Sequence, residues 1–448
     1  MTADLRIAWI LTRGSDRREW WRISLTALGA LLATGFALAA ITVAAVSGQV
    51  SVPFAHGLLN QPGQRVGVVV TLLLLLVPVL GLLGQCARIG AVHRDRRMAG
   101  LRLAGASPWQ VRRICALESA FTCLAGSAGG AVVFAAILSG HGHTPPPRAW
   151  TAYVMVVLVV PVLAALVSVV ALRRVIASPL GRVRRARPDR DRRGRPVALP
   201  VTVALIVVPA CLAALRGSRQ GAVSVPLLVF AVVILTGAGA VWLAGATASF
   251  MGRRLTARAK SPAVLIAAGR LADDPWAAAR THAALLLVTV VGVGFVGVRD
   301  VLLDVLHGRA GSLGEGLAFY TTGIDLTGAA VLVALAIGLL AVAVGTAESV
   351  AGRRRGLAAQ VAAGVPRAVL DRALLLETAL PLAPSVLLAG VGGMAVHLGY
   401  AALVAPGHVP SALPLLVPVA VYAACLLAAA TSLPLLRRTA HPAELRFT

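Results

Sequence analysis

A chain of 448 residues, 58% hydrophobic and only 13% charged, with a mean hydropathy of +0.85, has too little polar surface to wrap a soluble domain of its size; it reads as an all-α polytopic membrane protein. A formal net charge of +25 would ordinarily raise nucleic acid as a partner, but cytoplasmic loops of membrane proteins carry excess Lys and Arg, and no aromatic stacking platforms lie between these cations, so no nucleic acid is expected. The five cysteines, Cys86, Cys115, Cys123, Cys211 and Cys425, sit in or at the ends of apolar runs with no CxxC pair, which excludes a disulfide framework or thiolate metal site.

Residues 1–22 place Leu5, Ile7, Ala8, Trp9, Ile10 and Leu11 before a charged cluster and the pair Trp20 and Trp21, an interfacial helix with an aromatic anchor. The apolar run that follows is too long for the core of a signal peptide and reads as a membrane helix. Crossings of roughly 20 apolar residues, the length a hydrocarbon core of about 30 Å requires, are expected at about 23–46, 66–87, 117–139 and 152–172, making residues 1–175 a first unit. Between 173 and 196 lie ten arginines, two aspartates and three prolines, a cytoplasmic linker suited to rest on anionic lipid. With crossings at about 197–215 and 223–247, which carry no motif, it forms a two-helix spacer over 176–258.

The stretch 251–280 is basic again, with Arg253, Arg254, Arg258, Lys260, Arg270 and Arg280, and repeats the character of the N-terminal lead. A second unit, 259–448, then has crossings at about 281–303, 326–347, 374–396 and 413–436. The total is about ten, with both termini on one side. Of 42 basic residues only Arg65, Arg148, Arg216, Arg219, Arg299 and Arg309 fall in or beside the outer loops, which makes both termini cytoplasmic. Six crossings per repeat period give the two units the same orientation, a parallel repeat.

The repeat itself lies in the connectors. Arg94 to Gly130 returns from Arg353 onward at a fixed offset of 259, with Arg94, Arg96, Ala99, Ala104, Gly105, Arg113, Leu117, Glu118 and Ala120 recurring as identities. Each connector should be a helix, a tight turn at Gly105 or Gly364, and a second helix that runs on into the membrane. Pro108 takes a first helical position with Ser107 as its cap, which offers Gln110, Arg112 and Arg113 to the cytoplasm. Topology explains the charge of these residues but neither their spacing nor their duplication, so a docking surface for a cytoplasmic partner is expected. Glu118 and Glu377 lie where an ionisable group is costly and should pair with a base or reach the interface, either as functional groups or as carboxylates that cap local packing.

Lys260 is the only lysine, in a setting without the glycines of a phosphate-binding loop, so the chain itself has no Walker A nucleotide site. His141 and His143 precede three prolines and lack further ligands nearby, so no metal is expected. No dinucleotide fingerprint, GxSxG elbow or HExxH occurs.

The first connector resembles the FtsX-like, or MacB-type, permease subunits of ATP-binding-cassette transporters: Leu101, Arg102, Gly105, Ala106, Ser107, Gln110, Val111, Arg112, Glu118, Gly126, Gly129 and Gly130 match that family's signature in order. The family's acidic residue ahead of the glycine is here Arg97 and Gly356, and its Leu-Arg pair becomes Gln360 and Val361 in the second copy, which looks degenerate. The large outer domains of several family members have no counterpart, the longest outer loop being about 304–325.

The resemblance implies a multi-pass cell-membrane permease, not itself an enzyme and without a cofactor. Its partners would be membrane lipids and two cytoplasmic ATPase subunits per chain. The coupling residues it implies are Arg94, Arg96, Leu101, Arg102, Gly105, Ser107, Gln110, Arg112, Arg113 and Glu118 in the first copy, and Arg353, Arg355, Gly364, Arg372 and Glu377 in the second. Export or extraction of a lipid, lipopeptide or antimicrobial peptide would follow from ATP hydrolysis on the partner. The alternative is a sensor or scaffold of the same fold. An ion-driven carrier is disfavoured by the lack of membrane-centred acidic residues.

Overall fold

The computed structural model describes residue 6 and residues 17–46, 48–49, 57–60, 62–103, 105–140, 147–176, 224–309, 311, 316–407, 409 and 411–439. The basic linker, the crossing expected at 197–215, Cys211 and the His141 to His143 loop lie outside these residues. The elements of the described residues are all helices, without a strand. Eight of its helices are long and apolar enough to cross a membrane, from Ile23–Ala45 to Leu413–Leu436, and they correspond to the eight crossings expected for the two units. The chain is an all-α polytopic membrane protein. It divides into two compact units, Met1–Arg192 and Arg193–Thr448.

In the first unit α1 (Arg17–Ala45) packs against α2 (Pro62–Leu103), α3 (Pro108–Gly140) and α4 (Pro147–Ile176), and α3 packs against α4. Glycines let α3 touch α1: a Cβ on Gly126 would run into the Ala27 carbonyl, and one on Gly130 would lie 2.7 Å from the Leu31 oxygen. Two such positions one turn apart make the close backbone approach favoured between membrane helices, where packing rather than water exclusion drives association. At the same seam Thr34 donates to Ser127 at 2.8 Å and Ser127 to the Val157 carbonyl at 3.3 Å, so hydroxyls without water are satisfied across three helices. Arg65 is buried and donates to the carbonyls of Val46, Gly48 and Asn60, which folds the α1–α2 loop around its guanidinium.

The second unit comprises α5 (Ser224–Arg258), α6 (Pro262–Asp273), α7 (Pro275–Gly308), α8 (Leu317–Gly352), α9 (Arg354–Ala362), α10 (Arg367–Val404), a short 3-10 turn (Leu413–Leu415), α11 (Leu416–Ala430) and α12 (Leu433–Thr439). Helices α5, α7 and α10 pack on one another, and α8 joins through α7 and α11. Their shared core includes Ala240 and Ala244 of α5, Leu286 and Val290 of α7, Val342 of α8, Leu382 of α10 and Val421 of α11. The crossing expected at 223–247 is α5, which packs against α6, α7 and α10 on one side.

A second, smaller core gathers at the connector end of the unit. Val350, Leu357, Leu370, Leu374 and Leu436 are buried together, with Ile266, Val361, Val365, Leu433 and Leu435 against them. It unites α6, the α8–α10 connector and α12. The connector of the second unit is thereby held as a packed subdomain rather than a loop.

Candidate coupling connectors

A helix of 42 residues, as α2 is, extends about 63 Å at 1.5 Å per residue, twice the hydrocarbon thickness. Its last turns therefore leave the bilayer and carry Arg94, Arg96, Leu101 and Arg102. The chain then turns at Gly105, whose φ of +92° is the left-handed region that glycine alone takes without penalty. At the start of α3, Ser107 and Gln110 exchange hydrogen bonds: the Gln110 N–H donates to Ser107 Oγ at 3.2 Å and the Ser107 N–H to Gln110 Oε1 at 2.8 Å. This reciprocal capping box satisfies two backbone donors at the helix start and fixes the angle at which α3 leaves the turn. Val111, Ile114 and Cys115 bury the inner face of α3, and Glu118 is buried two turns further on.

Two residues beside this turn lie outside the family motif and are not singled out by the sequence analysis. Leu103 is 91% exposed and Trp109 is 64% exposed, one on each side of Gly105. Leu103 lies past the apolar run of α2 and Trp109 opens the candidate span Trp109–Gly140; an exposed Trp beside Arg is the composition of interface hot spots. The signal is present in the sequence, since a Leu and a Trp flank the glycine within a polar stretch. The matching positions in the second copy are Ala362 and Ala368, both exposed.

The second connector repeats the turn with different local chemistry. Gly364 has φ +88°. Here α9 closes in a Schellman motif, with Val365 N–H donating to Gln360 O and Gly364 N–H to Val361 O, both at 3.0 Å. Pro366 stands where Ser107 does and makes no side-chain cap. The first helix is also broken, α8 ending at Gly352 and α9 starting at Arg354, whereas α2 runs unbroken through the equivalent positions. Gly352 replaces His93 there, and a glycine weakens a helix interior by about 1 kcal/mol.

Arg353, at the break, turns its guanidinium to Glu377. Its Nη2 lies 2.8 Å from Glu377 Oε1, its Nη1 donates to Oε2 at 3.2 Å, and its Nε donates to the Ser349 carbonyl at 3.0 Å. Arg270 of α6 donates to the same Oε2 at 3.3 Å. The expected base for Glu377 is thus present twice over, once from within the connector and once from α6, a helix outside the motif. Burial lowers the Arg270 pKa, the neighbouring Arg353 lowers it further, and Glu377 opposes both. Arginine stays protonated through such shifts, so the cluster carries two cations on one carboxylate. Arg372 is exposed on α10. The side chains of Arg94, Arg96, Leu101, Arg102, Arg112 and Arg355 lie outside the described ones.

Among the described residues no three His, Cys, Asp or Glu side chains come together as a metal site. What the connectors present instead is rigid geometry: a helix end, a glycine turn and a capped helix that continues as a crossing.

Residues 68–179 match the family model of the FtsX-like permease C-terminal domain, a span that runs from the second crossing through the first connector to the end of α4. No curated protein and no solved structure matches the chain. The matched span holds the Gly105 turn, the Ser107–Gln110 capping box and the Gly126/Gly130 seam. Residues 68–179 are thus similar to the C-terminal domain of FtsX-like permeases, a type of membrane protein found in ATP-binding-cassette transporters.

Proposed function

We propose that this chain couples ATP hydrolysis by a separate cytoplasmic ATPase to the export or extraction of a hydrophobic or amphipathic substrate such as a lipid, lipopeptide or antimicrobial peptide. The observation that carries the proposal is the first connector, where Leu103 and Trp109 stand exposed on either side of a glycine turn locked by the Ser107–Gln110 box. A rigid element that leads without a break into two crossing helices transmits a push on its tip into the bilayer, whereas a flexible loop would absorb it. Two units in one chain would supply both halves of the permease, with two ATPase subunits seated on connectors facing the cytoplasm.

The second connector supports a rival reading for its own half. Ala362 and Ala368 in place of Leu103 and Trp109 leave little to dock, as expected of a unit that senses a ligand or scaffolds a partner without driving transport. Purification in mild detergent should bring down a cytoplasmic ATPase, and ATP hydrolysis should appear only with that partner. Export of a labelled amphipathic peptide from vesicles holding both proteins then separates transport from sensing. Robust ATP hydrolysis by the isolated chain would overturn the assignment.

A further inference from the structure

We propose that the outward face of α5, at its connector end, is a binding site for an anionic phospholipid. The face is defined by what it turns away from. Gly245 and Gly252 point at the rest of the unit: a Cβ on Gly245 would lie 2.6 Å from the Trp276 ring, and one on Gly252 2.6 Å from the Ala272 nitrogen on α6. At 3.6 residues per turn, Phe250 and Arg254 stand roughly 160° to 200° around the helix from Gly252, on the side opposite the packing partners.

That side carries a ladder ordered as a phospholipid is. Phe250 is 53% exposed at the end of the apolar run. Arg254 lies over its ring, 4.9 Å from the centroid, and Arg258 follows one turn further out. The steps are about 6 Å each along the helix axis, comparable with the depth of one headgroup layer. A ring at acyl level with a guanidinium stacked above it offers a hydrocarbon contact below and a phosphate contact above.

These cations are also uncommitted, unlike their neighbours. Arg270 and Arg353 are held by Glu377, and Arg280 by Asp274 at 2.7 Å. Arg253, Arg254, Arg258 and Lys260 are exposed and make no ion pair with a described carboxylate. Topology accounts for their sign but not for the alignment of Phe250, Arg254 and Arg258 on the one face without neighbours in the unit. A soluble acidic partner could reach Arg258 and Lys260, but Phe250 closes the apolar run of α5 that the sequence reads as a crossing, so a water-borne partner leaves it unexplained.

The test uses the full chain in detergent without any ATPase, so its failure would say nothing about coupling. Native mass spectrometry would compare retention of phosphatidylglycerol with phosphatidylcholine of the same acyl chains. Each cation near an anionic headgroup contributes about fivefold, so the wild-type protein should prefer the anionic lipid by roughly tenfold or more. The double variant Arg254→Gln/Arg258→Gln should fall to within about twofold of no preference. The charge-matched Arg280→Gln/Arg367→Gln, at the same end of the unit, should keep the preference. Inorganic phosphate at millimolar concentration should not displace the lipid. A wild-type chain without preference, a control that loses it equally, or displacement by phosphate alone would each overturn the site.

Discussion

Arg270 Nη1 lies 3.3 Å from Glu377 Oε2, a contact that spans 107 residues of sequence and ties α6 to α10. Arg353 holds the other oxygen at 2.8 Å, so one carboxylate keeps two guanidiniums from repelling each other. All three side chains are less than one-third exposed, with relative areas of 15%, 21% and 32% for Arg270, Glu377 and Arg353. Removing the carboxylate leaves two poorly solvated cations face to face at a cost on the order of 2–3 kcal/mol. Glu377→Gln should therefore lower the thermal unfolding midpoint of the detergent-solubilised chain by roughly 5 °C. The double variant Arg270→Gln/Glu377→Gln should cost less than the sum of the single changes, because the second change removes one orphaned cation. Strictly additive single effects would show that the contact carries no coupling.

That cluster also marks the limit of what the sequence discloses. The crossings are legible because runs of roughly 20 apolar residues have few other uses, and the Ser107 cap is legible because its whole motif lies within four residues. Glu377 can be assigned a basic partner on cost alone. Arg270 cannot be picked out, because nothing local separates it from the other cations between 251 and 280; only the folding of α6 onto α10 selects it. The packing of α5 is hidden for a similar reason: an apolar helix in lipid shows the same residue types to lipid tails and to protein neighbours. The break at Arg353 does not show in the sequence because Gly352 alone is a weak signal in a membrane helix, where glycine is common.

The α3 seam distinguishes three glycines that the sequence presents alike. Gly126 and Gly130 face α1 backbone, whereas a Cβ on Gly129 would meet only the Leu31 side chain at an ordinary 3.8 Å. Gly130→Val should force α1 and α3 apart and destabilise the first unit by about 2 kcal/mol or more, at the upper end of overpacking costs. Gly129→Ala should leave the unfolding midpoint unchanged. Equal effects from the two changes would mean that α1 and α3 do not meet at this seam.

Topology is testable without any partner. With the native cysteines replaced, cysteines introduced at Arg187 and Arg367 should resist a membrane-impermeant maleimide applied to intact cells, and one at Arg309 should react. The expectation rests on the loop-charge asymmetry. Strong labelling at Arg187 or Arg367 from outside would reverse the orientation and remove the connectors from reach of a cytoplasmic ATPase.

The exposed anchors of the first connector make a separate prediction about affinity. Truncating a hot-spot aromatic commonly costs 2 kcal/mol or more, about thirtyfold in binding. Trp109→Ala should weaken ATPase binding by that order, and Leu103→Ala by somewhat less, with no change in the stability of the isolated chain because both side chains are exposed. The reciprocal change Ala368→Trp tests the second connector, where a gain in ATPase binding would show that its exposed face already lies against the partner. Unaltered binding on loss of Trp109 would remove that residue from the interface.

The two turn glycines separate backbone strain from docking. Gly105 and Gly364 have nearly equal dihedrals, φ +92° and +88°, and at either position a Cβ would meet nothing within 4 Å, so valine is strained at both to a similar extent by its backbone alone. Left-handed backbone costs a β-branched residue on the order of 1–2 kcal/mol. The connectors differ in what the turn positions: Gly105 sets Leu103 and Trp109 beside a capped α3, while Gly364 sets two alanines and is flanked by Val365, which packs on the core of Leu357, Leu370 and Leu436. Gly105→Val should then abolish stimulated ATP hydrolysis while Gly364→Val retains most of it, although both lower stability alike. Charge reversal at Arg112 and Arg113 should weaken partner binding in a salt-sensitive way, and reversal at the exposed Arg372 should cost less. ATPase binding and stimulated hydrolysis measured across these variants at two ionic strengths decide the matter. Second-connector changes as damaging as those in the first would show that both halves drive the partner equally.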